Sequence, residues 1–173
     1  MDPSTREEFL KSSDGKTPLE GVVVLDLGQI YQGPYATFLM ARAGADVVKI
    51  EPPHGEPLRR REVEGIEPSF PMGFLNSNKR GITLNLKTSR GRDLLLALVE
   101  KADVLLENFA PGAMERLGVG CDVLRSLNPR LIYASGTGYG LSGRDRDQLA
   151  LDVTIQASAG IMSITGLADG PPM

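Results

Sequence analysis

Apolar residues along this chain fall into short runs separated by polar or glycine-rich breaks, and the first two runs set the pattern for the rest. Val22 to Leu27 is rich in β-branched residues with one polar interruption, the composition of a parallel strand covered on both faces. A turn opens at Gly28. Gly33-Pro34 suits a helix start, because proline's missing N–H would be unpaired there anyway, and helix is predicted to about Arg42. Tyr35, Phe38, Leu39 and Met40 are spaced to leave one side fit for burial, with Gly44 placed to end the helix. Asp46 to Ile50 returns to strand. Two strands joined through one helix form a right-handed parallel crossover. Such a unit opens a ligand crevice at the carboxyl ends of its strands, here the turn from Leu27 to Pro34.

Further along, Ile82 to Leu86 alternates as a third strand, and Ser89 is placed to cap a helix from Gly91 to Lys101. Val104 to Leu106 reads as the fourth strand and Leu131 to Ser135 as the fifth. Between them lie a short helix from Ala113 to Leu117 and another, capped by Asp122, that Asn128-Pro129 stops after Leu127. Leu149 to Ile164 has helical spacing at Leu151, Ile155, Ala159 and Met162, and a turn follows. Pro52 to Gly73, rich in proline and carrying Arg59, Arg60 and Arg61, is predicted as a long irregular loop. Residues 1–17 read as a disordered or weakly ordered arm, leaving 18–173 as one domain. Alternating strands and helices give the fold class α/β, a Rossmann-like parallel sheet with flanking helices.

The totals narrow the chemistry. A chain of 173 residues, 41% of them hydrophobic, suffices for one core, and a net charge of −3 argues against nucleic acid as a partner. The lone Cys121 cannot form a disulfide framework or a cysteine metal cluster within one chain, so no metal is expected. The longest apolar run, Leu94 to Val99, falls far short of the roughly 20 residues a membrane helix needs. With no apolar signal region at the N-terminus, the expected setting is cytoplasmic.

Single motifs carry little. Gly138-x-Gly140-x-x-Gly143 follows a strand, but the acidic and basic run from Arg144 to Asp147 stands where a dinucleotide fingerprint needs a helix. Glu51, about 20 residues past the first turn, reads either as a ribose ligand or as an exposed strand-end charge. The only histidine, His54, sits in the proline-rich loop without a nucleophile motif and reads as a surface residue. Cys121 follows Gly120 at a helix start, where a thiol pKa can be lowered, or else fills space in the core.

Taken in order, the segments PLEGVVVLDLGQIYQGP, GADVVKIEPP, NSNKRGITLNLK, ADVLLENFAPGAMERLG, NPRLIYASGTGYG and TGLADGPP are more specific. Together they resemble the N-terminal half of class III CoA-transferases, the formyl-CoA transferase and carnitine CoA-transferase type, over about residues 18–173. The resemblance implies a CoA-binding Rossmann-like large domain, incomplete here, from a fold in which two chains of a homodimer interlock. CoA contacts implied by the matching segments are Tyr31 and Gln32; Leu84, Asn85, Leu86 and Lys87; Asn108, Phe109, Ala110 and Arg116; and the loop Thr137, Gly138, Tyr139 and Gly140. The substrates implied are an acyl-CoA and a carboxylic acid acceptor. CoA phosphates give Arg116 and Lys87 a use, and Arg59 to Arg61 either reach the 3′-phosphate or are solvated. Phe109 either packs on the adenine or belongs to the core. The family's nucleophilic aspartate falls on Asp169.

A carboxylate of reference pKa about 3.9 is ionised at neutral pH and can attack a thioester without a partnered base. The implied sequence is a mixed anhydride with release of CoA thiolate, then an aspartyl-CoA thioester, then the same steps for the acceptor. Gly166 and Gly170 would leave amides accessible to a developing oxyanion. The match departs at Pro52, where the family often carries arginine, at Gln32, one place later than the family glutamine, and at Thr137, a lysine in formyl-CoA transferase, which argues against oxalate as acceptor. Two other readings remain: an α-methylacyl-CoA racemase-like isomerase using Asp152, which lacks its partner histidine, and a non-catalytic CoA-binding remnant. Because the chain ends soon after Asp169, it is expected to be a fragment with little turnover of its own.

Overall fold

A computed structural model describes residues 17–59 and 70–171. Its strands are β1 (Val23–Asp26), β2 (Asp46–Glu51), β3 (Arg80–Thr83), β4 (Val104–Glu107) and β5 (Ile132–Ser135). Its helices are α1 (Gln32–Arg42), α2 (Phe70–Leu75), α3 (Ser89–Val99), α4 (Ala113–Arg116), α5 (Cys121–Leu127) and α6 (Asp152–Ser158), with a 3-10 turn at Ile161–Ile164. All strands pair in parallel in the order β3-β2-β1-β4-β5. The fold is therefore the expected α/β, Rossmann-like sheet, with β1 at its centre.

The alternation of side chains along each strand divides the core in two. Leu25, Val48 and Leu105 enter a cluster with Leu95 and Val99 of α3, Met114 of α4 and Leu124 of α5. Their neighbours Val24, Val47 and Val104 face the other way, against Ala41 of α1 and Ala45. Full burial of one such leucine, Leu95 or Leu105, contributes about 2 kcal/mol.

Several element expectations need correction. The buried side of α1 is Gly33, Pro34, Thr37 and Ala41, while Tyr35 and Leu39 each remain 50% exposed. Small residues face the sheet because the chain passes close to itself there: a Cβ on Gly33 would lie 2.7 Å from the Gly28 Cα and 2.9 Å from Leu106 Cδ2. The aromatic side instead meets α2, with the Phe38 and Phe74 rings 4.9 Å apart. That helix, Phe70–Leu75, begins inside the stretch expected to be wholly irregular, Pro52 to Gly73, and runs two residues past it.

Strand β3 runs from Arg80 to Thr83, starting two residues and ending three residues earlier than the expected Ile82 to Leu86. Its register on β2 pairs Thr83 with Glu51, the last residue of β2, so the ladder has no partner to continue along. Leu84 and Leu86 then turn onto the core, and the Thr88 hydroxyl, not Ser89, caps α3 by accepting from the Gly91 N–H at 3.1 Å. Gly120, not Asp122, is the N-cap residue of α5. The expected long helix from Leu149 stops at Ser158, because Gly160 takes φ +79° and breaks the run before the 3-10 turn. Other boundaries agree within two residues. The expected N-terminal arm lies, Thr17 apart, outside the described residues.

Candidate functional site

The turn after β1 is fixed from beneath by charge. Asp26, fully buried, accepts from the Gly28 N–H at 2.8 Å, the Thr37 hydroxyl at 2.7 Å and the Lys79 ammonium at 2.8 Å. Lys79 also donates to the Pro34 carbonyl at 2.9 Å and to Asn76 Oδ1 at 3.0 Å, tying the start of α1 to the end of α2. Lys49 lies 3.8 Å from the same carboxylate and donates to the Gly28 carbonyl. Charges this deep are retained only when paired and hydrogen-bonded. Burial holds the Lys79 ammonium below its ordinary pKa, against the opposing pull of Asp26.

Above this base, long-range side chains hold the turn itself. Gln29 N–H donates to Asn108 Oδ1 at 2.7 Å, and Asn108 Nδ2 returns a bond to the Gln29 carbonyl at 2.9 Å. Ile30 adopts φ +63° and donates its N–H to Glu56 Oε2 at 3.1 Å. Tyr31 and Gln32 follow, both exposed. Gln32 reaches the end of β5, where a Cβ on Gly136 would stand 2.5 Å from Gln32 Oε1 and 3.3 Å from Asn108 Cβ. The carboxyl ends of β1, β4 and β5 thus meet in one place and bring together Gln32, Asn108 and Gly136, next to Thr137.

The remaining candidates fall around this point. Phe109 is partly buried against the core, with its N–H on Glu107 Oε2 at 2.8 Å, and its side chain also borders a cleft. Tyr133 donates to Glu107 Oε1 at 3.3 Å, and burial, reinforced by that carboxylate, raises its hydroxyl pKa well above the ordinary value. A cleft of about 320 Å³ runs past Phe109, Ala110, Cys121, Tyr133, Thr137 and Arg146. Arg116 is exposed and reaches back to the Pro111 carbonyl at 3.2 Å. Asn85 and Lys87 are exposed, whereas Leu84 and Leu86 are partly buried. In the glycine loop, Tyr139 lies 3.4 Å from the Ser158 hydroxyl, and no helix follows Gly143 before Asp152, so the dinucleotide fingerprint lacks its helix.

Glu51 departs from both sequence readings. It is buried and held bidentately by Arg59, Nε to Oε2 at 2.8 Å and Nη2 to Oε1 at 2.6 Å, which leaves it neither exposed nor free for a ribose. Burial pushes its carboxyl pKa up, but Arg59, the Glu56 N–H and Lys49 together bring it below the ordinary value. Of the three arginines, Arg60 and Arg61 lie outside the described residues. His54 is exposed and Cys121 half-buried.

Asp169 occupies an exposed turn and has no hydrogen-bond or ionic partner among the described residues. The Gly170 N–H closes that turn onto the Leu167 carbonyl at 3.0 Å, so it is not the open oxyanion donor expected; turn closure consumes it. Asp152 opens α6 and accepts from Gln156 Nε2 at 2.6 Å. Sequence reasoning missed Glu56, Lys49 and Lys79. Only Asp26 and Lys49 had left a trace, as polar interruptions in apolar strands. Among the described residues no group of three His, Cys, Asp or Glu is placed to hold a metal ion, and no helix is long and apolar enough to cross a membrane.

Known proteins resemble this chain in sequence and in fold. The chain is 47% identical over 157 residues to the formyl-CoA:oxalate CoA-transferase of Streptomyces avermitilis, covering 90% of this chain and 38% of that one. It is 44% identical to the succinyl-CoA:mesaconate CoA-transferase of Haloarcula marismortui, covering 89% and 41%. The chain therefore spans about two-fifths of the length of these curated relatives. The crystal structure of a CAIB/BAIF family protein from Brucella suis superposes with a TM-score of 0.85 at 37% identity, covering 91% of this chain and 43% of that one. The profile of CoA-transferase family III matches residues 19–173, nearly the whole chain, and it is to this family that the chain belongs.

Proposed function

We propose that this chain takes part in moving CoA from an acyl-CoA to a carboxylic acid, with Asp169 as the transient acyl carrier. The observation that carries this reading is the convergence of Gln32, Asn108 and Gly136 at the carboxyl ends of β1, β4 and β5, where an open parallel sheet binds its ligands. Residues 18–173 are the CoA-binding domain in this reading, with Tyr31, Gln32, Asn85, Lys87, Asn108, Ala110, Arg116 and the loop Thr137 to Gly140 lining the cofactor. Relatives named for CoA transfer to oxalate or mesaconate support the reaction class.

The chemistry balances without a general base. An Asp169 carboxylate oxygen adds to the thioester carbonyl, the C–S bond breaks, and CoA leaves as thiolate beside a mixed anhydride. Thiolate then attacks the aspartyl carbonyl, releasing the donor acid and forming aspartyl-CoA thioester. The acceptor carboxylate repeats both steps and frees Asp169. An exposed carboxylate with no partner among the described residues suits a nucleophile that must meet two substrates in turn. Assembly as a homodimer is part of the proposal, since Leu149, Leu151, Ile164 and Leu167 are each more than two-thirds exposed.

Incubation with acetyl-CoA followed by peptide mass spectrometry tests the reading. An acetyl or CoA adduct on Asp169, absent in Asp169→Ala, is the expected result. Binding of CoA with no adduct would leave only a binding domain, and exchange of the α-proton without an adduct would point to Asp152.

A further inference from the structure

Two unfavourable features meet at one hydrogen bond. Ile30 has φ +63°, a left-handed conformation that a β-branched residue adopts only under constraint. Among the described residues the other non-glycine residue with positive φ is Asn78, whose side chain tolerates it. No burial compensates Ile30, which is 42% exposed. Its N–H donates to Glu56, a residue only 1% exposed whose second oxygen, Oε1, is buried and has no hydrogen-bond partner among the described residues.

A buried carboxylate with one oxygen unpaired is costly, and persists where the surrounding structure over-determines it. Here the constraints are visible. The Glu56 N–H is held by Glu51 Oε2 at 3.1 Å, Glu51 is clamped by Arg59, and Leu58 is buried with Met72 and Leu75. Glu56 Oε2 accepts from Leu58 N–H at 3.2 Å as well as from Ile30. The carboxylate therefore belongs to a hydrogen-bonded segment at the end of β2 and reaches across to the turn after β1.

We propose that Glu56 is a positioning residue: its carboxylate holds Ile30 in the left-handed conformation and thereby sets the direction of Tyr31 and Gln32 over the strand ends. Asn108 fixes Gln29 from one side and Glu56 fixes Ile30 from the other, so the chain enters α1 on a defined path. This role rests on the CoA reading of the site given above.

The test is titration of coenzyme A into the chain by calorimetry, with variants at both positions. Glu56→Ala is expected to weaken CoA binding about tenfold, the loss of one charge-assisted hydrogen bond. In an Ile30→Gly background the same change is expected to cost less than about threefold, because glycine takes φ +63° without help. An equal loss in both backgrounds, or no loss in either, overturns the role of Glu56 alone; no CoA binding by the unaltered chain overturns the CoA reading and this role with it. Should Glu56→Ala fail to fold, Glu56→Gln decides, since it keeps size and one acceptor oxygen. Hydrogen exchange at the Ile30 amide is then expected to quicken about threefold while Leu25 is unchanged, a neutral acceptor being weaker than a charged one; unchanged Ile30 exchange overturns the proposal.

Discussion

Asn108 and Gln29, from the end of β4 and the turn after β1, are joined by two hydrogen bonds through one carboxamide, which receives the Gln29 N–H and donates to the Gln29 carbonyl. Both backbone groups would otherwise need water or another partner. Asn108→Ala is expected to lose about 1–3 kcal/mol of stability in urea unfolding and to weaken CoA binding. Asn108→Asp keeps the acceptor but sets a carboxylate against a carbonyl, and should fall no higher than halfway back toward the unaltered protein. Equal stability of all three would show that water replaces the clamp.

Two glycines should respond differently to alanine. At Gly33 the added Cβ meets the Gly28 backbone at 2.7 Å, and main chain cannot step aside cheaply. Gly33→Ala is therefore expected to cost about 3 kcal/mol. At Gly136 the nearest atom is Gln32 Oε1 at 2.5 Å, the far end of a flexible side chain. Gly136→Ala should cost about 1 kcal/mol or less and act instead on CoA affinity, by displacing Gln32. Circular dichroism melts and CoA titration separate the two cases.

Lys79 serves Asp26, Thr37, Pro34 and Asn76 at once. Lys79→Met removes a buried charge whose partner stays behind, and is expected to destabilise by about 3–5 kcal/mol. Adding Asp26→Asn to Lys79→Met should cost less than the sum of the single changes, since it removes the stranded carboxylate. Additive losses would mean that Asp26 and Lys79 are independent.

The Glu51–Arg59 pair predicts an acid dependence. The folded carboxyl pKa lies below 4.5, so the pair contributes stability that is complete above about pH 4.5 and is lost as pH falls through the lower folded value. The stability gap between the unaltered chain and Glu51→Gln should be widest at neutral pH and narrow below about pH 4.5. A gap that stays constant down to pH 3 would remove the ion pair as its cause.

Asp169 is exposed and has no partner among the described residues, so its role can be tested apart from folding. Asp169→Ala should leave urea stability within about 0.5 kcal/mol of the parent while abolishing the covalent adduct formed with acetyl-CoA. An adduct that forms equally in Asp169→Ala would exclude this carboxylate as the acyl carrier.

The parallel sheet was legible because strands covered on both faces must be apolar almost throughout, as Val23 to Asp26 and Val104 to Glu107 are. A candidate site at the strand ends was equally readable, since a strand-helix-strand crossover leaves a crevice there. Local signals misjudged α1, where apolar spacing selected Tyr35 and Leu39 but close passage of Gly28 and Gly33 reserved the sheet-facing side for small residues.

The order of apolar runs thus determined the fold class, the strands and the loops between them, because periodicity and turn residues act over a few positions at a time. What only the tertiary structure decided is which polar groups meet. Glu56 beside Ile30, Lys79 beneath Asp26 and Asn108 against Gln29 are separated by 26, 53 and 79 positions. Such pairings depend on how the loops at the ends of neighbouring strands are brought together, and no local pattern records that.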